Sequence, residues 1–419
     1  MPPTTLSATD RQTLQRIADS YTADPKRTIP GLVYGAIRND GEPFFEYASG
    51  TVGISCSKKM TLDTVFWVAS FTKLLTSVAC MQLVEQGRLK LDDAEQVESI
   101  APELAAVKVL RRRSDGEFEL VDKQRRITLR MLLTHTAGFG YAFEDSNLAE
   151  YGRPIGFDDF SGSREDMMTK PLVNQPGEKF QYGTSMDWVG LIIERVAGLA
   201  LEEYFSRNIL TPLGMEVSFY PLKLVKGSNL AYLHRRADDG SLMHIDHLYQ
   251  TPLTWKVEVG KQMFCAGGHG CFGKPTHFLR LISVLLNDGT DAKSGTQLLK
   301  PETVDEMFKD QIPNQPRYSN ESVPVAKPHL ANPTPLIPMP EDHTEGWGLS
   351  FSINHFPERS GRAAGSGSWE GLANLFWFAD RTSKIGGVIA SQILPYGDKY
   401  VLECSERLET EIYRIISRK

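Results

Sequence analysis

The 419-residue chain carries 46 Lys and Arg against 52 Asp and Glu, a formal net charge of -6, with 41% hydrophobic and 23% charged residues. That composition is typical of a globular protein and the length allows two domains and a large core. The weak acidic balance, with no basic run or aromatic-interleaved basic stripe, argues against a nucleic-acid partner. No window reaches the length of a membrane span, and the first 21 residues lack the basic region and apolar core of a secretory signal. Five irregularly spaced cysteines read as reduced thiols, so a cytoplasmic location without membrane attachment is expected. Cys265, His269 and Cys271 lie close together but lack the second ligand pair of a zinc site, and no metal is expected.

In chain order, Leu14, Ile17 and Tyr21 mark an amphipathic helix over 8–22. Gly31 to Ile37 and Phe44 to Ala48 read as strands of a hairpin turned at Asn39-Asp40-Gly41. From Ser70 to about Gln86 the apolar positions Phe71, Leu74, Leu75, Val78 and Met81 predict a buried helix stopped by Gly87. Another helix begins at Ile127 to Leu133 and runs into the turn-rich Thr134 to Tyr141. His135, between threonines at a helix end, reads as a capping or packing residue in preference to a base.

Residues 141–176 have the Gly, Asp and Pro content of long loops bordering a pocket. A Pro176-Gly177 turn then delivers Tyr182 into a tight bend before a helix from Met186 to Ala197, and a further helix spans Leu201 to Leu210. The stretch 225–262 reads as loop with short strands. Gly267 to Gly273 reads as a strand-to-helix connection, since no strand leads into it and no Lys-Ser/Thr ends it. Eight prolines between 313 and 340 predict an extended loop over a pocket. Three late strands are expected at Gly346–Phe351, Asn374–Phe378 and Ile385–Ala390, before a final helix from Tyr400 to Ile416.

Strand character at both ends around a helical middle implies one α/β sheet domain, 1–65 with 240–419, and an inserted helical domain, 66–239. The cleft between them is the expected active site, and Ser70 stands at that boundary. Ser70 and Lys73 lie one helical turn apart, on one face. A serine hydroxyl needs a base to become a nucleophile, and a lysine can serve once burial lowers its pKa. Alone, this four-residue spacing is a weak signal; its bland counterpart is a helix cap followed by a solvated lysine.

Three features then stand in order: Ser70-x-x-Lys73, Tyr182-Gly183-Thr184, and Gly365-Ser366-Gly367-Ser368-Trp369-Glu370-Gly371. This order resembles the serine β-lactamase and penicillin-binding-protein superfamily, in its class C-like branch with the family VIII esterases. Leu132 to Gly138, Pro212 to Met215 and Pro301 to Val304 carry the likeness across nearly the whole chain. Within the branch the chain is most similar to the fungal acyltransferases that transfer a lovastatin-type side chain, through Ala69-Ser70, Thr72 to Thr76, Ile127 to Arg130, and Tyr182 to Thr184 with Asp187-Trp188.

The resemblance implies a β-lactamase-like fold, an antiparallel sheet flanked by helices. It implies Ser70 as nucleophile, Lys73 as its base partner and Tyr182 as the second acid/base. The backbone N–H groups of Ser70 and Leu372 would form the oxyanion hole. Trp67, Tyr141, Thr184, Trp369 and Trp377 would line the substrate pocket. Two departures point away from lactams. Thr184 replaces the asparagine of Tyr-x-Asn, and no Lys-Thr-Gly follows on a strand; Lys293-Ser294-Gly295 imitates one in a polar loop. Trp369-Glu370-Gly371 resembles the Trp-Gly-Gly of the esterases, with glutamate for one glycine.

The expected activity is therefore transfer of an acyl group from a small-molecule ester or thioester, through acyl-Ser70, to a polyketide-like alcohol. No bound cofactor is required; acyl-CoA or an acyl carrier protein thioester would be a co-substrate. A plain esterase or lactonase is the alternative, and a binding protein that kept the fold without the chemistry is the non-enzyme one.

Overall fold

The computed structural model describes residues 6–226, 229–254, 263–321 and 323–418. Ser7 opens the first helix, α1 (Ala8–Thr22), through a capping box with Asp10. Two strands follow, β1 (Gly31–Arg38) and β2 (Pro43–Gly50), forming the expected hairpin. They join five late strands: β3 (Glu345–Trp347), β4 (Ser352–Asn354), β5 (Gly367–Gly371), β6 (Leu375–Asp380) and β7 (Ile385–Ala390). The sheet runs β3-β4-β5-β6-β7-β1-β2, every neighbouring pair antiparallel. Val33 pairs with Ala390, so the two ends of the chain meet at the β1–β7 seam.

Each face of this sheet is covered. On one, α1 and the last helix, α5 (Lys399–Ser417), bury Leu14, Tyr21, Leu32, Tyr34, Ile389, Leu408 and Ile412 together. On the other lies α4 (Phe278–Leu286). It comes so close that a Cβ on Gly35 would stand 2.6 Å from Leu279 Cδ1, and one on Gly386 2.2 Å from Ile282 Cγ2. Glycine at these two strand positions is what lets helix and sheet pack.

Between the early and late strands lie α2 (Thr72–Glu85) and α3 (Ser185–Ala197), which pack on each other, and several shorter helices. Helix α2 lacks the single buried stripe its leucines suggest: every residue from Thr72 to Leu83 is buried. Its polar residues are accommodated by backbone carbonyls. Thr76 Oγ1 donates to Gly267 at 2.6 Å, Ser77 Oγ to Leu349 at 2.8 Å and Gln82 Nε2 to Leu298 at 3.3 Å.

Two expectations need correction, the strand at 346–351 and the uninterrupted helical middle. Gly346–Phe351 is not one strand but a hairpin, because Ser350 sits at φ +84° and Gly348 N–H bonds to Phe351 O at 2.8 Å. The tryptophan-glycine motif, unassigned from pattern, is the strand β5. A hairpin, Val109–Arg112 with Phe118–Val121, interrupts the helical middle. In the expected loop region 225–262, short strands occur at Leu233–Arg236 and Leu242–Ile245, while 227–228 and 255–262 lie outside the described residues. The proline-rich stretch, of which 322 is likewise outside them, is tied down by Arg317, whose guanidinium donates to the carbonyls of Met339, Pro340, Glu341 and His343 at 2.7–3.1 Å. Among the described residues no helix is long and apolar enough to cross a membrane.

Candidate active site

Ser70 follows a two-residue strand, Phe66–Trp67, paired with Phe272–Gly273. Val68 N–H bonds to Cys271 O at 3.1 Å, and the chain then turns through Ala69 at φ +45° into a single 3-10 turn before α2. A non-glycine residue in that left-handed region costs roughly 1–2 kcal/mol. Thr72 holds the turn by donating to Ala69 O at 2.7 Å and accepting from Cys271 N–H at 3.1 Å. The result places Ser70 at the amino-terminal end of a helix, 8% exposed, with its side chain toward Lys73 and Tyr182.

Lys73 has no exposed surface. Its Nζ lies 3.0 Å from Ser70 Oγ, 2.8 Å from Gly268 O and 3.3 Å from Tyr141 Oη. Burial pushes its pKa down to about 7, against the opposing pull of the Asp187 and Glu144 carboxylates. A neutral amine has two N–H donors and one lone pair. Two donors toward Gly268 O and Tyr141 Oη leave the lone pair facing the serine proton.

Tyr182 approaches from the other side. Its Oη donates to Ser70 Oγ at 2.8 Å and accepts from Trp369 Nε1 at 3.1 Å. Burial raises its pKa above the ordinary tyrosine value, so the phenol keeps its proton at neutral pH. The bend that presents it needs Gly183, where a Cβ would stand 2.2 Å from Phe139 O and 2.6 Å from Gly140 Cα. Gln181 N–H, one residue earlier, bonds to His135 O at 2.7 Å.

His135 is a packing residue. Fully buried at φ +54°, it sets its ring 4.7 Å from that of Tyr182 and edge-on to Trp347, with neither ring nitrogen bonded among the described residues. Burial, then the nearby Lys73 charge, keeps it neutral.

The other expected site residues fall into two groups. Trp369 and Tyr141 touch the Ser70–Lys73–Tyr182 cluster directly. Leu372 follows the end of β5, and β5 lies against the Ser70 turn so closely that a Cβ on Gly371 would stand 3.1 Å from Val68 O. Trp67, by contrast, presents no surface to a substrate: it is wholly buried, donates from its indole to His269 O at 2.7 Å, and packs edge-on against Phe160. Trp377 is 2% exposed and packs against Phe351 in the core. The hydroxyl of Thr184 is buried and faces a small polar cavity shared with Asp187, His269 and Lys170. All three are buried, and among the described residues none is hydrogen-bonded to Ser70, Lys73 or Tyr182.

Gly268, Asp187 and Glu144 were not read as site residues from the sequence. Burial raises the Glu144 carboxyl to about 8, and that of Glu370, which accepts from Tyr396 Oη, to about 7. A cavity of about 300 Å³ opens between loops 158–160, 246–250 and 327–330; Ser70 does not line it. Phe160 does, and the rings of Phe160, Phe143 and Tyr141 stack in succession from it toward Lys73.

The chain is similar to several known proteins. Monacolin J acid methylbutanoyltransferase of Aspergillus terreus is 30% identical over 401 residues, 92% of each chain. Lovastatin esterase of Penicillium rubens is 33% identical over 397 residues, 92% of this chain and 94% of that one. Among solved structures, unliganded simvastatin synthase of Aspergillus terreus superposes with a TM-score of 0.82 at 26% identity, covering 99% of this chain and 100% of that one. The Beta-lactamase family model matches residues 14–403, and with these relatives it shows that the chain belongs to the beta-lactamase family.

Proposed function

We propose that the chain is a serine acyltransferase, moving an acyl group from a thioester or ester through acyl-Ser70 to an alcohol of polyketide type. The observation that carries this reading is the double engagement of Ser70 Oγ, 3.0 Å from a buried lysine amine and 2.8 Å from a tyrosine hydroxyl that Trp369 orients. In acylation Ser70 Oγ attacks the carbonyl carbon and its proton passes to Lys73 Nζ. The tetrahedral oxyanion is held by the Ser70 and Leu372 N–H groups. As it collapses, the bond to the leaving sulfur or oxygen breaks, and that atom takes the Tyr182 proton. Lys73 then re-protonates Tyr182. In the second half the acceptor hydroxyl gives up its proton through the same pair, attacks the acyl carbon and releases Ser70 Oγ, which recovers a proton.

The groups come from both parts of the chain: Ser70, Lys73, Tyr141 and Tyr182 from the region 66–239, Gly268 and Trp369 from 240–419. This supports a site between a helical domain and a sheet domain with those bounds. No metal or bound cofactor enters the steps, and an acyl-CoA or carrier-protein thioester suits the donor. The five cysteines are free thiols, which suits a reducing compartment such as the cytoplasm.

Hydrolysis is the second reading, favoured by the esterase relative: water reaching the acyl-enzyme would follow the same path. One assay separates the two. A butyryl or methylbutanoyl thioester is incubated with and without a polyketide-type alcohol, and products are resolved by mass. New ester that depends on the alcohol supports transfer; free acid alone under every condition rejects it.

A further inference from the structure

Asp187 lies on the first turn of α3, five residues beyond Tyr182, and is 1% exposed. Its Oδ1 accepts from Gly268 N–H at 2.8 Å. The carbonyl of the same residue, Gly268, accepts from Lys73 Nζ at 2.8 Å. One residue therefore carries both contacts, its N–H on a carboxylate and its oxygen on the lysine amine. Gly268 can lie this near because it has no side chain: a Cβ there would stand 3.0–3.2 Å from three atoms of the Asp187 carboxyl group.

We propose that Asp187 is a positioning residue for the acyl transfer. It fixes the Gly268 carbonyl on which Lys73 rests, and its charge governs how firmly Lys73 holds a proton. The inference rests on the reading of Lys73 as the base.

Four features support it. A buried carboxylate without a cationic or hydrogen-bonding partner would be expelled or neutralised; burial raises this one to about 6, opposed by the Lys73 amine whenever it is protonated and by the Gly268 N–H. Among the described residues its second oxygen, Oδ2, has no hydrogen-bond partner, and Asp187 lines a cavity of about 10 Å³ bounded also by Thr184 and His269, room for one water. The charged and titratable groups facing it are Lys73 from α2, Lys170 and Asp159 from the loop region, His269 beside Gly268, and the phenols of Tyr141 and Tyr249. Of these, Lys170 is already closed in a buried ion pair with Asp159 at 2.5 Å, and His269 is kept neutral by burial. That leaves Lys73 as the cation to which Asp187 answers, with Glu144, whose carboxyl burial raises to about 8, as a weaker influence on the same amine.

The test uses the full chain, p-nitrophenyl butyrate as acyl donor, and the variants D187N and D187A. Asparagine keeps the acceptor for Gly268 N–H and removes the charge. The acid limb of its kcat/KM–pH profile is expected to move down by about one unit or more, because the ammonium has lost a nearby anion. Alanine removes the acceptor too, and is expected to lose a further tenfold or more in kcat/KM at its own optimum. Thermal unfolding of each variant reports folding independently, and D187N alone decides the charge effect should D187A fail to fold. A folded D187N with the wild-type limb, or with a limb moved upward, overturns the proposal. Ser70→Ala measured alongside keeps the two readings apart: if it cleaves the ester like wild type, the acyl-serine reading fails whatever Asp187 does.

Discussion

Gly183→Ala makes a quantitative test of how tightly Tyr182 is held. The added Cβ would meet Phe139 O at 2.2 Å, and ordinary contact begins near 3.4 Å, so the bend must open by about 1.2 Å. A shift of that size carries the Tyr182 hydroxyl from 2.8 Å out of hydrogen-bonding range of Ser70. Misplacement of a catalytic group by about 1 Å is worth roughly a hundredfold in rate, or about 2.7 kcal/mol of barrier. Overpacking should also remove about 1–3 kcal/mol of stability. The assay is the rate of acylation of Ser70 by p-nitrophenyl butyrate, followed as the nitrophenolate burst, on Gly183→Ala, Tyr182→Phe and the double variant. If the glycine acts by placing the tyrosine, the double variant is no slower than Tyr182→Phe by more than a few-fold. A wild-type burst rate in Gly183→Ala refutes the reasoning, as does a double variant slower by the full product of the two singles.

Ser70→Ala should abolish labelling by a fluorophosphonate probe, and Lys73→Ala should abolish ester turnover while the chain stays folded by circular dichroism. The kcat/KM of acylation should rise with pH along a limb near 7, because the neutral amine is the base and burial has lowered the Lys73 pKa to about 7; a limb near the ordinary lysine value of about 10.4 would contradict this. Trp369→Phe removes the donor to Tyr182 Oη and is expected to slow acylation by up to about tenfold, the worth of one hydrogen bond; an unchanged rate would show that Tyr182 needs no such support. Asp159→Ala leaves Lys170, 2% exposed, without its partner, and should cost about 3–5 kcal/mol in urea unfolding.

The readability of the sequence varied with the range of the cause. Local causes were visible: the capped helix at Ala8, the Asn39-Asp40-Gly41 hairpin and the amphipathic last helix each follow from periodicity and turn chemistry. The order of Ser70, Lys73, Tyr182 and Trp369 was visible as motif, and the structure brings the four within hydrogen-bonding chains of one another. Long-range causes were not visible. Nothing in Gly267-Gly268 announces that its carbonyl will seat Lys73, because glycine density signals close approach without naming the neighbour. Trp67 and Trp377 were expected in the pocket from the family resemblance; their burial follows from contacts with Phe160, His269 and Phe351, which the sequence does not pair with them. Ser350 hid a hairpin because a non-glycine residue in the left-handed region leaves no compositional trace.

The meeting of the two chain ends in one sheet also sets a clock. Ser70 and Lys73 leave the ribosome about 300 residues before Trp369, and β1 waits about 350 residues for its partner β7. At roughly 5–20 residues per second, Ser70 and Lys73 stand together for about 15–60 s without the strand whose Trp369 bonds to Tyr182. On the proposed mechanism, a chain truncated before Gly365 should retain Ser70 and Lys73 yet acquire no acyl group from p-nitrophenyl butyrate.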